Sequence, residues 1–439
     1  MPSTHRPSTD RIGLSQRASA LPEQPINRLM AAALANPRLI SLAAGFVDDA
    51  TLPIDEVTGL LRQWTEDRDL ARRSLQYGSA AGDPRLRALL LEQTPGAKAA
   101  GLTPEHVVMT AGSNSLLHLV GEVLFDPGDF VLCAAPTYFV YLGLLQDLGV
   151  RAVGIASDRE GMLPEALDER LRQLTAAGER PRVKAVYLIP YFDNPAATNM
   201  SAARREAIWQ VIDRWSLEQP LYLISDDAYQ GLRYRGPDEP TMLGIGADPE
   251  RTITCGTFSK TFSPGIRVGW GILPSGLVEP LLRKKSVVDF GSPYFNQVLM
   301  RKALEQGLIA SHEKRLHAAY RQKLDAMLDA LDQHLAPIPG VRYERPDGGL
   351  YVWLHLPANV PATIDGRLWQ ACAEEGVLYV PGEFCYATEG EPQDRCSMRL
   401  SFGVQSVPKI REGIELLGRA VRHASAADSS AAGLQTSHA

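Results

Sequence analysis

The sequence predicts an α/β fold with two parts: a large domain whose mostly parallel sheet is flanked by helices, and a smaller α+β domain. Between about residues 100 and 275, short apolar runs alternate with helix-like patterns. The runs are continuously apolar, which is typical of parallel strands buried on both faces. The chain of 439 residues is also long enough to form more than one core.

Six of these runs are candidate strands of the large domain. They span residues 106–112, 130–138, 183–190, 221–227, 251–260 and 267–274. Ligands of such sheets bind beyond the carboxyl ends of the strands. Polar residues at the ends of these runs are therefore the candidate site residues.

After residue 292 the pattern changes to that of a long helix with one apolar stripe. The stripe recurs every three or four residues and consists of Leu316, Tyr320, Leu324, Met327, Leu331 and Leu335, which predicts a single buried face. A Gly-Gly turn at 346–349, a strand at 350–355 and apolar runs at 376–382 and 396–403 then predict the smaller domain.

We therefore predict five segments. They are a disordered tail (1–12), an N-terminal arm that joins the small domain and the site entrance (13–45), the large domain (46–292), the linking helices with the small domain (293–423), and a second disordered tail (424–439).

Composition and charge disfavour several classes of protein. The formal net charge is −6 and no basic stripe is present, which argues against nucleic-acid binding. No apolar stretch could span a membrane, and the polar N-terminus lacks a signal-peptide pattern. The five cysteines have no CxxC spacing, and the histidines form no HExxH cluster. We expect a cytoplasmic protein without a metal site.

Gly112, Ser113 and Asn114 lie between a strand end and an amphipathic helix. Such a junction offers free backbone N–H groups and a positive dipole end, which suit a phosphate group. An ordinary helix N-cap at Ser113 or Asn114 is the alternative, and this segment alone favours the cap.

Lys260 follows a turn rich in hydroxyl groups after a buried run, and Arg267 follows beyond a Pro-Gly turn. A lysine attacks carbonyl groups only when deprotonated, which burial or a nearby positive charge promotes. Arg267 can supply that charge and can also bind a phosphate, and the hydroxyl groups of Thr257 and Ser259 suit the same anion. The alternative is a surface turn with a solvated lysine.

Asp226 and Asp227 end the run at 221–227, where they can bind a metal or cap a helix. They also suit pyridoxal phosphate, because one carboxylate can keep its pyridine nitrogen protonated and so make the ring an electron sink. Tyr229 and Asn194 can hydrogen-bond the phenolic oxygen of the same cofactor. No single one of these signals is specific.

The order and spacing of these motifs resemble the class I/II aminotransferases, which are fold-type-I pyridoxal phosphate enzymes. The resemblance covers about residues 12–420, and its most specific element is SK-x-x-x-PG-x-R-x-GW at 259–270. The other matching motifs are QYG, GDPRLR, GSN, PTY, DNP, SDDAY, PDGGLYVW, VPGEF and RLSF, in that order. LSQRASALPEQPINRLM and DDAY resemble the subgroup of 2-aminoadipate and kynurenine aminotransferases.

The resemblance implies roles for all candidate residues. Lys260 would bind the cofactor covalently and shuttle a proton, and Asp226 and Tyr229 would complete the catalytic set. Arg399 would bind the substrate's α-carboxylate, beside Gly45 and Asn194. The implied cofactor site comprises Gly112, Ser113, Asn114, Tyr138, Asn194, Asp226, Tyr229, Thr257, Ser259, Lys260 and Arg267, together with Tyr77 of a neighbouring subunit in a homodimer with shared active sites.

Two positions depart from the family pattern. Ala196 and Ala197 follow Asn194–Pro195 where many relatives have Thr-Gly. Because glycine adopts positive φ without strain and alanine does not, we expect this turn to be reshaped. Asn114 replaces a commoner glutamine, so its contact is expected to differ.

Transfer of an amino group from an L-amino acid to a 2-oxo acid such as 2-oxoglutarate is the leading hypothesis. The alternative is elimination, replacement or cyclisation of a functionalised amino acid on the same cofactor. About forty residues precede the enzyme-like core, too few for a fused DNA-binding module, and no catalytic position is lost. The substrate side chain is left open: Arg17 is a candidate second cation for an acidic substrate, whereas Tyr138 and Tyr191 favour an apolar one.

Overall fold

The computed structural model describes residues 13–20, 23–25, 27–29, 31, 36 and 38–435, with the backbone alone at 17, 20 and 427–435. The predicted tail at 1–12 and the side chain of Arg17 lie outside the described residues. No helix in the described ranges is long and apolar enough to cross a membrane, and the same residues contain no cluster of potential metal ligands.

The helices lie before, between and after the strands of the large sheet. Their bounds are α1 Gln16–Ala20, α2 Ile54–Glu66, α3 Arg68–Ser74, α4 Pro84–Glu92, α5 Ser113–Leu124, α6 Phe139–Asp147, α7 Pro164–Ala176, α8 Ala202–Trp215, α9 Ser275–Val288, α10 Tyr294–Glu305, α11 Leu308–His334, α12 Arg367–Glu375 and α13 Val407–Gln435.

The strands belong to one large sheet and two small ones. Their bounds are β1 Ile40–Ser41, β2 Val107–Thr110, β3 Phe130–Ala135, β4 Arg151–Asp158, β5 Gly161–Met162, β6 Val183–Leu188, β7 Tyr222–Asp226, β8 Thr252–Thr257, β9 Gly269–Ile272, β10 Arg342–Tyr343, β11 Tyr351–His355, β12 Val377–Leu378, β13 Val380–Pro381, β14 Glu389–Gly390 and β15 Ser397–Ser401.

The large sheet has the order β14-β4-β3-β6-β7-β8-β9-β2, with β5 paired to β4. The pairs from β14 to β8 are parallel, whereas β9 runs antiparallel to both β8 and β2. The predicted mostly parallel sheet flanked by helices is thus confirmed, and each of the six predicted runs contains a strand. Strand β4 was not predicted, because its apolar centre is short and its two ends are exposed.

The smaller sheet, β10-β11-β15-β13, is antiparallel. The N-terminal arm contacts this region, because β1 pairs with β12 in parallel. Helix α11 lies between the two parts of the chain, and its predicted stripe from Leu316 to Leu331 is buried together with Leu335, directly after the helix. The predicted domain boundaries stay predictions.

The prediction of a disordered tail from residue 424 is wrong for the described part, because α13 continues to Gln435. Ala424 is buried and lies within this helix. The segment is rich in alanine, which has the highest intrinsic helix propensity. A helix can therefore continue here without the apolar periodicity whose absence predicted the tail.

Candidate active site

Most of the predicted site residues meet in one cavity of about 380 Å³, beyond the carboxyl ends of the parallel strands and against the smaller sheet. Of the predicted residues, those that line it are Gly45, Ser113, Asn114, Tyr138, Asn194, Asp226, Tyr229, Thr257, Ser259, Lys260, Arg267 and Arg399. Gly112 directly precedes the lining residue Ser113. Tyr77 lies elsewhere: it is 78% exposed and its ring packs edge-on against Phe290.

Asp226 ends strand β7 with its carboxylate almost fully buried. The hydroxyl of Tyr187 donates to its Oδ2 at 2.9 Å, and the Ala228 amide donates to Oδ1 at 3.3 Å. Burial raises the pKa of Asp226 to about 6, although Tyr187, Ala228 and the charge of Lys260 act in the opposite direction. Within the described residues Asp226 has no ion-pair partner, so this carboxylate lacks a hydrogen-bonded cation.

Lys260 lies in the turn after strand β8 and is half-buried. Its Nζ donates to the backbone carbonyl of Gly45 at 2.9 Å. A Cβ added at Gly45 would lie 2.9 Å from the hydroxyl of Tyr351 and 3.8 Å from Nη2 of Arg399. The absence of a side chain at Gly45 therefore keeps the space between Lys260, Tyr351 and Arg399 open.

The other end of the cavity is a cluster of anion-binding groups. Gly112 precedes helix α5 with φ +90°, and a Cβ there would lie 2.6 Å from Nη2 of Arg267. The hydroxyl of Thr257 donates to that of Ser259 at 2.9 Å. A helix N-terminus, two hydroxyls and a guanidinium are together chemically suited to a phosphate group.

A hydrogen-bonded series of side chains connects the middle of the cavity with Arg399. The Asn194 amide donates to the Tyr229 hydroxyl at 3.3 Å, and the hydroxyls of Tyr229 and Tyr351 are 3.2 Å apart. Burial raises the pKa of Tyr229 well above its ordinary value. Burial also acts to raise the pKa of Tyr351, but the charges of Arg399 and Lys260 hold it below the ordinary value.

Arg399 is a buried cation on strand β15. Its Nη1 donates to Oδ1 of Asn194 and its Nη2 to the carbonyl of Ala43, both at 2.7 Å. The guanidinium lies 4.3 Å from the ring centre of Tyr351 and 5.6 Å from that of Phe139. Its Nε is buried without a hydrogen-bond partner among the described residues, so Arg399 retains capacity to bind an anion.

The expected reshaping of the turn after Asn194 does not occur, because Ala197 adopts the left-handed conformation with φ +55°. The turn is closed by the Ala197 amide, which donates to Asp193 O at 2.8 Å, and by the Asp193 amide, which donates to Thr198 O at 2.9 Å. These bonds hold alanine in a region that costs it about 1–2 kcal/mol. At the second departure, the Asn114 amide lies 3.5 Å from the Tyr138 hydroxyl.

Several groups at this site were not predicted from the sequence, namely Tyr187, Tyr351, Phe46, Phe139 and the carbonyl of Ala43. Tyr187 and Tyr351 occupy apolar runs, where aromatic residues indicate core packing. The motif PDGGLYVW contains Tyr351 and was the only signal that could have identified it. Nothing in the local sequence marks Tyr187.

The chemistry of the cavity fits pyridoxal phosphate. The cluster around Gly112 and Arg267 suits its phosphate, and Asp226 would gain the cation it lacks from a protonated pyridine nitrogen. Asn194 and Tyr229 line the same cavity and would hydrogen-bond the ring's phenolic oxygen, and Lys260 is the amine on the cavity wall. The fold and this site together define a pyridoxal-phosphate-dependent enzyme of fold type I.

Comparisons with known proteins agree with this class. The family described as aminotransferase class I and II matches residues 37–415, so the chain belongs to this family and is a pyridoxal-phosphate-dependent aminotransferase. It is 32% identical to aromatic-amino-acid aminotransferase 1 of Thermococcus litoralis over 88% of each chain. It is also 32% identical to the 2-aminoadipate transaminase of Thermus thermophilus, over 88% of this chain and 91% of that one.

The fold also matches that of a solved relative, the kynurenine aminotransferase of Pyrococcus horikoshii in complex with PMP. The TM-score is 0.85 at 30% identity, covering 95% of this chain and 98% of the other. The resemblance inferred from the motifs, including its subgroup, is thereby confirmed.

Proposed function

We propose that this enzyme transfers the amino group of an L-amino acid to a 2-oxo acid such as 2-oxoglutarate. The observation that supports this most directly is one cavity that holds a nucleophilic amine, Lys260, and a buried cation, Arg399, whose Nε has no hydrogen-bond partner among the described residues. An amino acid whose carboxylate binds Arg399 would have its Cα held near Lys260. Positioning of this kind is a major contribution to catalysis.

The side chains would then divide the work as follows. Arg399 binds and orients the substrate carboxylate, and Lys260 accepts the proton from Cα and returns it. Pyridoxal phosphate supplies an electron sink for the charge that develops at Cα. Asp226 holds a proton at the ring nitrogen, and Tyr229 with Asn194 orients the ring through its phenolic oxygen.

The test is to incubate the purified holoenzyme with single amino acids and 2-oxoglutarate and to measure glutamate and the new 2-oxo acid. Lys260→Ala is the control that must form neither. A donor that yields ammonia or a rearranged product, with the cofactor left in its aldehyde form, would support elimination, replacement or cyclisation instead. The absence of glutamate with every donor would refute the proposal.

We further propose that the preferred donor has an aromatic or apolar side chain. The wall of the cavity includes Phe46, Tyr138, Phe139 and Val140, and its lining cations are Lys260, Arg267 and Arg399. Each of these cations already has a proposed partner, so no cation among the described lining residues is left for a side-chain carboxylate; the side chain of Arg17 lies outside the described residues. Comparison of kcat/KM for phenylalanine and 2-aminoadipate tests this, and a preference for 2-aminoadipate would contradict it.

We also propose a cytoplasmic homodimer with shared active sites. The support for assembly is a patch of exposed apolar side chains around Tyr77: Leu75, Tyr77, Val287, Val288 and Phe290 are 58–88% exposed. Exposed apolar patches often mark contacts with other proteins. The five free cysteines support a reducing compartment.

Mixed dimers test whether the site is shared. Subunits with Lys260→Ala and subunits with Tyr77→Ala should each have little activity alone. If Tyr77 serves the partner's site, a mixed dimer contains one site with both defects and one intact site, so remixing restores activity. Tyr77→Ala activity that remains low after remixing, in dimers shown to be mixed, would contradict the shared site.

A further inference from the structure

We propose that the buried ion pair between Asp48 and Lys323 positions the substrate-carboxylate site, by anchoring the entrance segment at residues 43–48. This inference rests on the proposed role of Arg399. The Nζ of Lys323 lies 2.8 Å from Oδ2 of Asp48, and the two side chains are only 8% and 10% exposed. Both residues lie outside the set that lines the cavity.

The anchor consists of three contacts on the side away from the cavity. Lys323, on helix α11, also donates to the carbonyl of Gly403 at 3.0 Å. One helical turn earlier, the hydroxyl of Tyr320 accepts from the backbone amide of Asp48 at 3.1 Å. Helix α11 thus holds Asp48 by both its side chain and its backbone, and Lys323 also ties this contact to the segment after strand β15.

The segment needs such an anchor because residues 43–48 form neither helix nor strand. On the cavity side they are held by Arg399, which donates to Ala43 O, and by Lys260, which donates to Gly45 O. These are the two side chains that we propose bind substrate and cofactor. Lys260 cannot keep its bond to Gly45 O once it binds the cofactor, so the contacts of Asp48 and the bond between Arg399 and Ala43 O are left to hold the segment.

The segment in turn shapes the site. It carries the Ala43 carbonyl that aligns Arg399, and the exposed ring of Phe46 on the cavity wall. The Phe46 carbonyl packs so closely on Gly403 that a Cβ there would lie 2.5 Å away. A buried ion pair is weak evidence for a stabilising role, since a well-packed apolar pair is often as stable. Fixing one arrangement of the segment gives the pair a function.

The test uses holoenzyme with Lys323→Met, Asp48→Asn and the double variant. Three quantities are measured: amide hydrogen exchange at residues 43–50, the Kd of a carboxylate that has no amine, and KM separately from kcat. The carboxylate is 3-phenylpropionate or glutarate, whichever binds the unaltered enzyme more tightly. We expect faster exchange, and a Kd and a KM raised about tenfold or more with a smaller change in kcat, since small displacements at a site are costly. The affinity for pyridoxal phosphate should stay unchanged.

The double variant separates positioning from stability. Each single change leaves one buried group unpaired, whereas the double variant removes both charges and should regain stability. Its carboxylate binding should nevertheless stay weak. The proposal is overturned if the double variant folds stably and binds the carboxylate as tightly as the unaltered enzyme.

Two further variants complete the design. Lys184→Met removes the lysine of another partly buried pair, with Asp129, at the amino ends of β3 and β6. It should change neither the Kd nor the exchange at 43–50. Arg399→Lys tests the role on which the inference rests. If the Arg399→Lys variant binds the carboxylate as tightly as the unaltered enzyme, the proposed function of Arg399 is wrong. If amide hydrogen exchange at 43–50 is unchanged in Lys323→Met, the proposed anchor is wrong.

Discussion

Replacement of Tyr187 by phenylalanine should change how the stability of the cofactor-free protein depends on pH. The Tyr187 hydroxyl donates to the buried carboxylate of Asp226 at 2.9 Å, and burial already raises the pKa of that group to about 6. A hydrogen bond to a charged group contributes about 1.5–3 kcal/mol. Since one pKa unit corresponds to about 1.4 kcal/mol, its loss should raise the pKa by about one to two further units.

The sign follows from proton linkage. An acid whose pKa is raised in the folded state binds more protons folded than unfolded, so stability falls as pH rises through that interval. For Asp226 the interval runs from its ordinary 3.8 to about 6, which amounts to about 3 kcal/mol. In Tyr187→Phe the free energy of unfolding should continue to fall up to roughly pH 7–8, by about a further 1.5–3 kcal/mol.

The assay is urea unfolding of the cofactor-free protein between about pH 5 and pH 8.5. The matched control is Tyr141→Phe, because Tyr141 packs against Tyr187 and its buried hydroxyl has no hydrogen-bond partner within the described residues. The difference in the free energy of unfolding between the two variants should be small near pH 5 and should grow towards pH 8.5. A difference in the free energy of unfolding that is equal at pH 5 and pH 8.5 would refute the proposed titration of Asp226.

Other changes test separate parts of the structure. Lys260→Ala should lose both turnover and the absorption band of the lysine-bound cofactor; an active, coloured variant would overturn the assignment. Gly45→Ala should raise KM about tenfold, since the new Cβ would lie 2.9 Å from the Tyr351 hydroxyl. The control Gly59→Ala, on α2 with no described atom within 4 Å of the new Cβ, should instead stabilise the fold by about 0.5–1 kcal/mol. Val287→Asp, at an 88% exposed position, should weaken the proposed dimer in sedimentation equilibrium while changing subunit stability by less than about 0.5 kcal/mol; an unchanged dimer would place the interface elsewhere.

The fold was largely predictable because its strands are short, buried on both faces and therefore continuously apolar. The segment that contains Lys260 and Arg267 shows this well, because its two apolar runs became the antiparallel pair β8 and β9. Strand β4 escaped prediction because it lies near the sheet edge, with exposed ends. The continuation of α13 beyond residue 424 escaped because alanine-rich sequence forms helix without periodicity.

The site was predictable as a set of residues but not as a network. Tyr187 looks like a core residue in strand β6, and it reaches Asp226 only because β6 pairs with β7 in a register that sets Tyr187 opposite Ile224. Ala197 was expected to reshape its turn, yet the backbone hydrogen bonds of the turn hold it at φ +55°. A local sequence pattern does not specify the register of a neighbouring strand. Nor does it show whether the backbone hydrogen bonds of a turn can hold an alanine at positive φ.

The sequence by itself determined the α/β class, the cofactor and the reaction family, because these depend on residue types in a fixed order along the chain. The tertiary structure alone decided which groups share a hydrogen bond, such as Arg399 with the carbonyl of Ala43, which are 356 positions apart. It likewise decided that Asp48 and Lys323 meet in a buried pair. Such contacts depend on how separate elements pack, and no periodicity or motif within one element records that packing.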